Sequence, residues 1–142
     1  MSRRAPLLLL DEHPLLFQRA VARAVGSSNR ALILQQINYW LGLPGGVDWR
    51  GNHWIWQTIA TIRDELGGIV DERTVRREIS ILERMGVLVS MPRGEIDPRC
   101  DSRDRTKAYR IDHDALRRLS DAAEAARRRD AISAKRAEDG AA

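Results

Sequence analysis

Apolar positions along this chain alternate between helical and strand-like spacing in an ordered series. Phe17, Ala20, Val21, Ala24 and Val25 recur at helical intervals, so residues 14–25 read as a helix with Pro14 in its first turn and Gly26 as its stop. Residues 28–41 read as a second helix with Ser28 as its cap. Leu34, Ile37 and Leu41 share one face of it, with Ile33 and Trp40 beside them. The breaker run Gly42-Leu43-Pro44-Gly45-Gly46 follows. His53 to Gln57 alternates as a strand, Trp54 and Trp56 on one face and Ile55 on the other.

Thr58 then caps a short helix whose core residues are Ile59, Ile62 and Leu66. Gly67-Gly68 break it, and Asp71 caps a longer helix over residues 72–85 that ends at Gly86. Val87 to Met91 reads as a strand, residues 92–104 as a polar loop, and Arg105 to Ile111 as the returning strand. A last helix starts near Asp112 or Asp114 and runs into an Ala/Arg/Glu-rich tail. From about Ala131 that tail has too few large apolar residues to hold itself to a core and is expected to fray. Short helix, glycine turn, longer helix and then a hairpin is the pattern of a winged helix-turn-helix. The expected fold is mainly α with a small β-wing. Residues 1–27 form an N-terminal arm and helix, 28–116 the DNA-binding domain, and 117–142 the last helix and tail.

The longer helix carries the chemistry. At about 100° per residue, Val75, Ile79 and Leu82 fall in one narrow sector that must face the core. Arg73, Arg77, Ser80 and Arg84 fall opposite, and Arg76 lies on the flank, with Glu78 and Glu83 on either side of the ridge. A helix lying in the major groove needs this division: an apolar side to anchor it, and long donors opposite to reach base edges below the phosphates. Arg73 and Arg77 are assigned to base or deep-groove contacts, and Arg76 and Arg84 to phosphate. Thr74 either bonds backbone phosphate or helps cap the helix. In the wing, Arg103, Arg105 and Lys107 are the candidate contacts to backbone or minor groove. Arg93 and Arg99 lie nearby, and Glu95, Asp97, Asp101 and Asp104 are assigned to shaping the turn. An arginine-rich helix face is also a common solvated surface. Its place on the second helix of a helix-turn-helix favours the functional reading.

Net charge changes this picture little: 24 Lys and Arg stand against 20 Asp and Glu, a balance of +4 that does not by itself demand a nucleic-acid partner. Only Lys107 and Lys135 are lysines, and arginine's planar fork suits phosphate and guanine, although a GC-rich genome yields the same bias. Cys100 is the only cysteine, which excludes an intrachain disulfide and a multi-cysteine zinc site. Arg99 and Arg103 flank it and would lower its pKa, but an incidental thiol is the simpler reading. His13, His53 and His113 lack metal-site spacing. Trp40, Trp49, Trp54 and Trp56 read as core or subunit interface rather than base-stacking residues. No nucleophile–base pair and no phosphate-binding glycine loop is present, so no catalytic residue, metal or cofactor is assigned and an enzyme is not expected. The run Pro6 to Leu10 after Arg3 and Arg4 is too short for a signal peptide or a membrane span. A cytoplasmic, nucleoid-associated protein is expected.

The chain resembles the N-terminal winged-helix domains of phage and mobile-element replication initiators of the replisome-organiser type. The residues that carry the resemblance are Ala31–Leu41, Gly51–Trp56, Arg73–Arg77, Ile81–Leu88 and Asp104–Asp112, within roughly 28–116. The resemblance implies DNA binding during replication initiation, often with a C-terminal region that recruits a helicase loader. Here only a short Ala/Arg tail follows residue 120, a departure that leaves a stand-alone DNA binder. The expected partner is double-stranded DNA, with a homodimer and a replication-machinery protein left open. The alternatives are a transcriptional repressor on the same fold, and a winged helix used for protein–protein assembly.

Overall fold

A computed structural model describes residues 8–101 and 103–140. The first part of the leucine run, with Arg3 and Arg4, lies outside the described residues, as do Ser102 and residues 141–142. The described chain is α+β, with six helices and a four-stranded antiparallel sheet. No described helix is long and apolar enough to cross a membrane.

Helix α1 spans Arg19–Val25 and buries Ala24 and Val25. It is shorter than the helix expected over 14–25, and Leu15, Leu16 and Phe17 stay outside the buried core, so a helical turn there would gain little from packing. Without such burial a short helical turn does not hold. Gly26, at φ 82°, ends the helix, its N–H donating to the Ala22 carbonyl. Helix α2 (Ser28–Leu41) is capped by Ser27 rather than Ser28, the Ser27 hydroxyl accepting from the Arg30 amide at 3.4 Å. It buries Ala31, Ile33, Leu34 and Ile37.

The breaker region contains a strand that hydropathy does not show. β1 (Val47–Trp49) pairs antiparallel with β2 (Asn52–Trp56), Val47 opposite Trp54 and Trp49 opposite Asn52. Arg50 and Gly51 turn the hairpin with both φ values positive (49° and 79°), as a tight two-residue turn requires. Gly46 admits no side chain, because a Cβ there would lie 2.2 Å from the Trp54 carbonyl oxygen.

Helix α3 (Ile59–Glu65) follows, with the Thr58 hydroxyl accepting from the Thr61 amide at 3.1 Å. Gly67 and Gly68 carry the turn, and Val70 plugs into the core. Helix α4 (Glu72–Arg84) is capped by Asp71, whose carboxylate accepts from the Thr74 amide at 2.7 Å. Strands β3 (Leu88–Pro92) and β4 (Lys107–Ile111) pair antiparallel, Leu88 opposite Ile111 and Pro92 opposite Lys107. The connection between them is not wholly irregular: Arg93–Ile96 makes a one-turn helix, α5, that buries Ile96. β4 also pairs with β2, Ile55 opposite Tyr109, giving the sheet order β1-β2-β4-β3.

Helix α6 (His113–Gly140) starts where the Asp112 carboxylate accepts from the Ala115 amide at 3.0 Å. Its first turns pack on α1 and send Leu116 and Leu119 against the core. The helix continues to Gly140 in place of the fraying expected from Ala131. Residues 127–140 are all exposed, so strong helix formers and ion pairs such as Arg128–Glu124 sustain it rather than burial.

The two faces of the sheet bury different things. Ile55, Leu88, Tyr109 and Ile111 join the helices in the main core with Ile33, Ile37, Ile62, Val75 and Leu82. The other face gathers Trp54, Ala108 and Ile96, with Val47, Trp49, Trp56, Val89 and Met91 packed around them. The strand alternation of Trp54, Ile55 and Trp56 produces this split.

Candidate nucleic-acid interface

Helix α4 buries Val75, Ile79 and Leu82, and its opposite side is free. Arg73, Arg76, Arg77, Ser80 and Arg84 are all exposed, and Thr74, next to the cap, is half-buried. Among the described residues, Arg73, Arg76 and Arg84 form no ion pair within the chain; Arg77 lies 3.6 Å from a Glu78 oxygen while keeping most of its side chain in solvent. Asp71, at the helix start, has its pKa held below the ordinary carboxylate value by hydrogen bonds from Thr74. Its negative charge is therefore fixed at the N-terminus, where the helix dipole favours it.

Glu78 does not stand beside the arginine ridge as the helical wheel suggests. It is buried, and Arg30 of α2 donates to it through Nε while its Nη1 donates to the Val25 carbonyl at 2.7 Å. One guanidinium thus joins the end of α1, the start of α2 and the middle of α4. Glu83 is half-buried and turned toward the sheet. Lys107 of β4 contacts its two oxygens at 2.9 and 3.3 Å, and the Ser90 hydroxyl donates to it at 2.9 Å.

These contacts bring the start of β4 alongside α4, and a cleft of about 460 Å³ opens between them. Arg76 and Ser80 stand on one wall, and Arg105, Thr106 and Lys107 on the other. Gln57 and Thr58 close one end over a floor of Ile59, Ile79 and Tyr109. No carboxylate lines the cleft among the described residues. The Tyr109 hydroxyl is pushed up to about 12, mainly by burial and then by the Glu83 charge, so it stays a neutral phenol. Arg76 and Ser80 of the ridge are thus brought together with Arg105 and Lys107 at the start of the β4 side of the hairpin. Arg73, Arg77 and Arg84 line the outer crest instead. Arg103 lies apart, almost wholly exposed and 3.5 Å from Asp101. Thr58, Gln57 and Tyr109 were not assigned to the site from sequence; the position of Thr58 as the cap of α3, the helix before α4, was the available signal.

Asp97, Asp101 and Asp104 shape the long connection by bonding its backbone amides, whereas Glu95 makes no hydrogen bond or ion pair among the described residues. Asp97 is buried, accepts from Arg93 at 3.2 Å and from the Arg99 amide at 3.1 Å, and is held below its usual pKa chiefly by that amide. Asp104 accepts from the Thr106 amide at 2.8 Å, which lowers its pKa in turn. The Arg93 guanidinium stacks 4.2 Å from the centre of the Trp56 ring. Arg110, whose Nε is buried with no hydrogen-bond partner, lies over Trp54. The tryptophan faces of the sheet are therefore occupied from within the chain. Cys100 corrects the sequence expectation. Burial and its hydrogen bond to Asp104 at 3.2 Å raise its pKa, where the flanking arginines suggested a lowered one.

Comparison with protein-family models, with curated proteins and with solved structures finds no match to this chain.

Proposed function

We propose that this chain binds double-stranded DNA as a winged helix and is not an enzyme. Helix α4 lies in the major groove, and the β3–β4 hairpin flanks it as the wing. The observation that carries this reading is the exposed crest of Arg73, Arg77 and Arg84 on the side of α4 opposite its buried face, continuous with the carboxylate-free cleft of Arg76, Ser80, Arg105 and Lys107. Arg73 and Arg77, in the first two turns, reach base edges. Arg76, Arg84 and Arg105 take phosphates, with Ser80 and Thr74 as short donors to the backbone. Arg103 at the loop tip is a secondary backbone contact. The resemblance to phage and mobile-element replication initiators supplies the setting, replication initiation or its control, in a cytoplasmic, nucleoid-associated protein.

Electrophoretic mobility shift with fragments selected from a genomic pool tests the reading. Arg73→Ala and Arg77→Ala each weaken a selected site by about 1–3 kcal/mol, on the order of 5- to 150-fold. Arg76→Ala and Arg105→Ala weaken all sequences alike and each reduce the log–log salt slope by close to one unit. A double Arg73/Arg77 variant that binds like the parent overturns the assignment. Footprinting the selected site against origin and promoter regions separates replication from repression.

A further inference from the structure

Duplex DNA uses only the rim of the cleft between α4 and β4. Its phosphates lie on a broad convex surface and meet the exposed Arg76 and Arg105. The floor is different. Ile79 and Tyr109 are 2% and 1% exposed, and Ile59 is half-buried beside them, so only a ligand small enough to enter the cleft meets all three. At about 460 Å³ the cleft falls within the range of roughly 300–1,000 Å³ in which small-molecule and cofactor sites lie.

The lining selects among such ligands. Lys107 is already neutralised by Glu83 at 2.9 Å. Arg76 and Arg105 form no ion pair among the described residues, so two guanidinium charges remain on facing walls with no carboxylate to cancel them. A phosphate monoester carries about −1.5 to −2 near pH 7 and three acceptor oxygens, which matches that pair. Each phosphate of a duplex backbone carries a single charge. Uncharged groups complete the lining. Thr58 spends its hydroxyl on Thr61, but the Gln57 amide and the Ser80, Thr106 and Tyr109 hydroxyls make no side-chain hydrogen bond among the described residues. The Tyr109 ring is packed in the core, and its hydroxyl is left to whatever enters the cleft that the residue lines. An apolar floor, a ring of hydroxyls with one amide, and charge for a dianion together suit the base, sugar and phosphate of one nucleotide.

We infer that this cleft binds a nucleoside 5′-monophosphate, its phosphate held between Arg76 and Arg105 and its base laid over Ile59, Ile79 and Tyr109, and that the bound nucleotide withholds those two arginines from duplex DNA. The competition rests on the duplex-binding reading, whereas the nucleotide site stands on the cleft alone. A free nucleotide and the 5′-phosphorylated end of a strand share this chemistry, since each presents a monoester phosphate beside one base.

Isothermal titration calorimetry of the full chain with 5′-AMP tests the site. The parent is expected to bind one AMP per chain, and adenosine or inorganic phosphate about tenfold more weakly, because each satisfies only part of the lining. Arg76→Ala and Arg105→Ala are each expected to weaken AMP by about tenfold, and Tyr109→Phe, which keeps the ring in the core, by about 3- to 10-fold. Arg73→Ala/Arg77→Ala, on the outer crest, is expected to keep the parent's AMP affinity. In mobility-shift titrations at constant ionic strength, saturating AMP is expected to weaken the parent's hold on a selected duplex by about tenfold, and adenosine to leave it unchanged. A 5′-phosphorylated dinucleotide that binds as tightly as AMP, while its 5′-hydroxyl form does not, assigns the site to a strand end; binding of AMP alone assigns it to the free nucleotide. No saturable heat with AMP, inorganic phosphate binding as tightly as AMP, or an AMP affinity indifferent to Arg76, Arg105 and Tyr109 overturns the site. Duplex binding undiminished by saturating AMP overturns the competition. A parent that shifts no duplex, yet binds AMP in the expected pattern, sinks the DNA reading and leaves the nucleotide site standing.

Discussion

At the scale of single residues, position on a helix and pairing across the chain answer to different information. The crest of Arg73, Arg77 and Arg84 follows from the 100° step of α4 and from Val75, Ile79 and Leu82 needing burial, so it was legible in sequence. The fates of Glu78 and Glu83 were not, because their partners Arg30 and Lys107 lie 48 and 24 positions away. Arg30→Met strands a buried carboxylate and is expected to destabilise the fold by about 2–3 kcal/mol; partial exposure of Arg30 places it below the full cost of breaking a buried pair. Chemical denaturation reads this directly, and adding Glu78→Met restores most of the loss. Glu83 holds Lys107 against α4. Glu83→Gln frees the ammonium toward the cleft and is expected to tighten DNA binding severalfold, with a salt slope steeper by up to one unit in the same mobility-shift titration. An unchanged slope would show that Lys107 takes no phosphate even when released.

Caps and turns decide matters at the scale of elements. Asp71, Thr58 and Asp112 cap the helices at which sequence placed them, since a cap is a contact across three residues. Asp71→Ala is expected to lower the melting temperature by a few degrees, and Asp71→Ser to restore most of it. Asp71, Asp97, Asp104 and Asp112 are all held below the ordinary value of 3.8, each chiefly by a backbone amide. A lowered folded-state pKa means that the unfolded chain binds more protons in acid. The stability these groups add is therefore complete above about pH 4–5 and is lost as pH falls through their folded values. Thermal melts from pH 6 to pH 2 are expected to show a steep drop below pH 4, flattened in the Asp97→Asn variant. β1 and α5 escaped the sequence reading. Three residues beside a glycine run carry no period, and one helical turn exists only because Ile96 finds the tryptophan cluster.

For the molecule as a whole, the same distinction separates α6 into two parts. Its start is tied to α1 and the core, while residues 130–140 are all exposed and belong to neither apolar cluster. A chain ending at Arg129 is expected to melt within about a degree of the parent, because exposed surface away from the core contributes little. A larger loss would reveal a stabilising contact made by the distal helix.

The sequence by itself determined the order of the major elements, which faces of α2 and α4 are greasy, where most helices begin and stop, and which arginines stand outward on α4. All of these follow from interactions a few residues apart, governed by the helical and strand repeats. Tertiary structure alone decided that β4 lies between β2 and β3, that Arg105 and Lys107 face Arg76 and Ser80 across one cleft, and that Arg30 is spent on Glu78. Those outcomes depend on which distant surfaces meet once apolar area is withdrawn from water, and local periodicity holds no record of that choice.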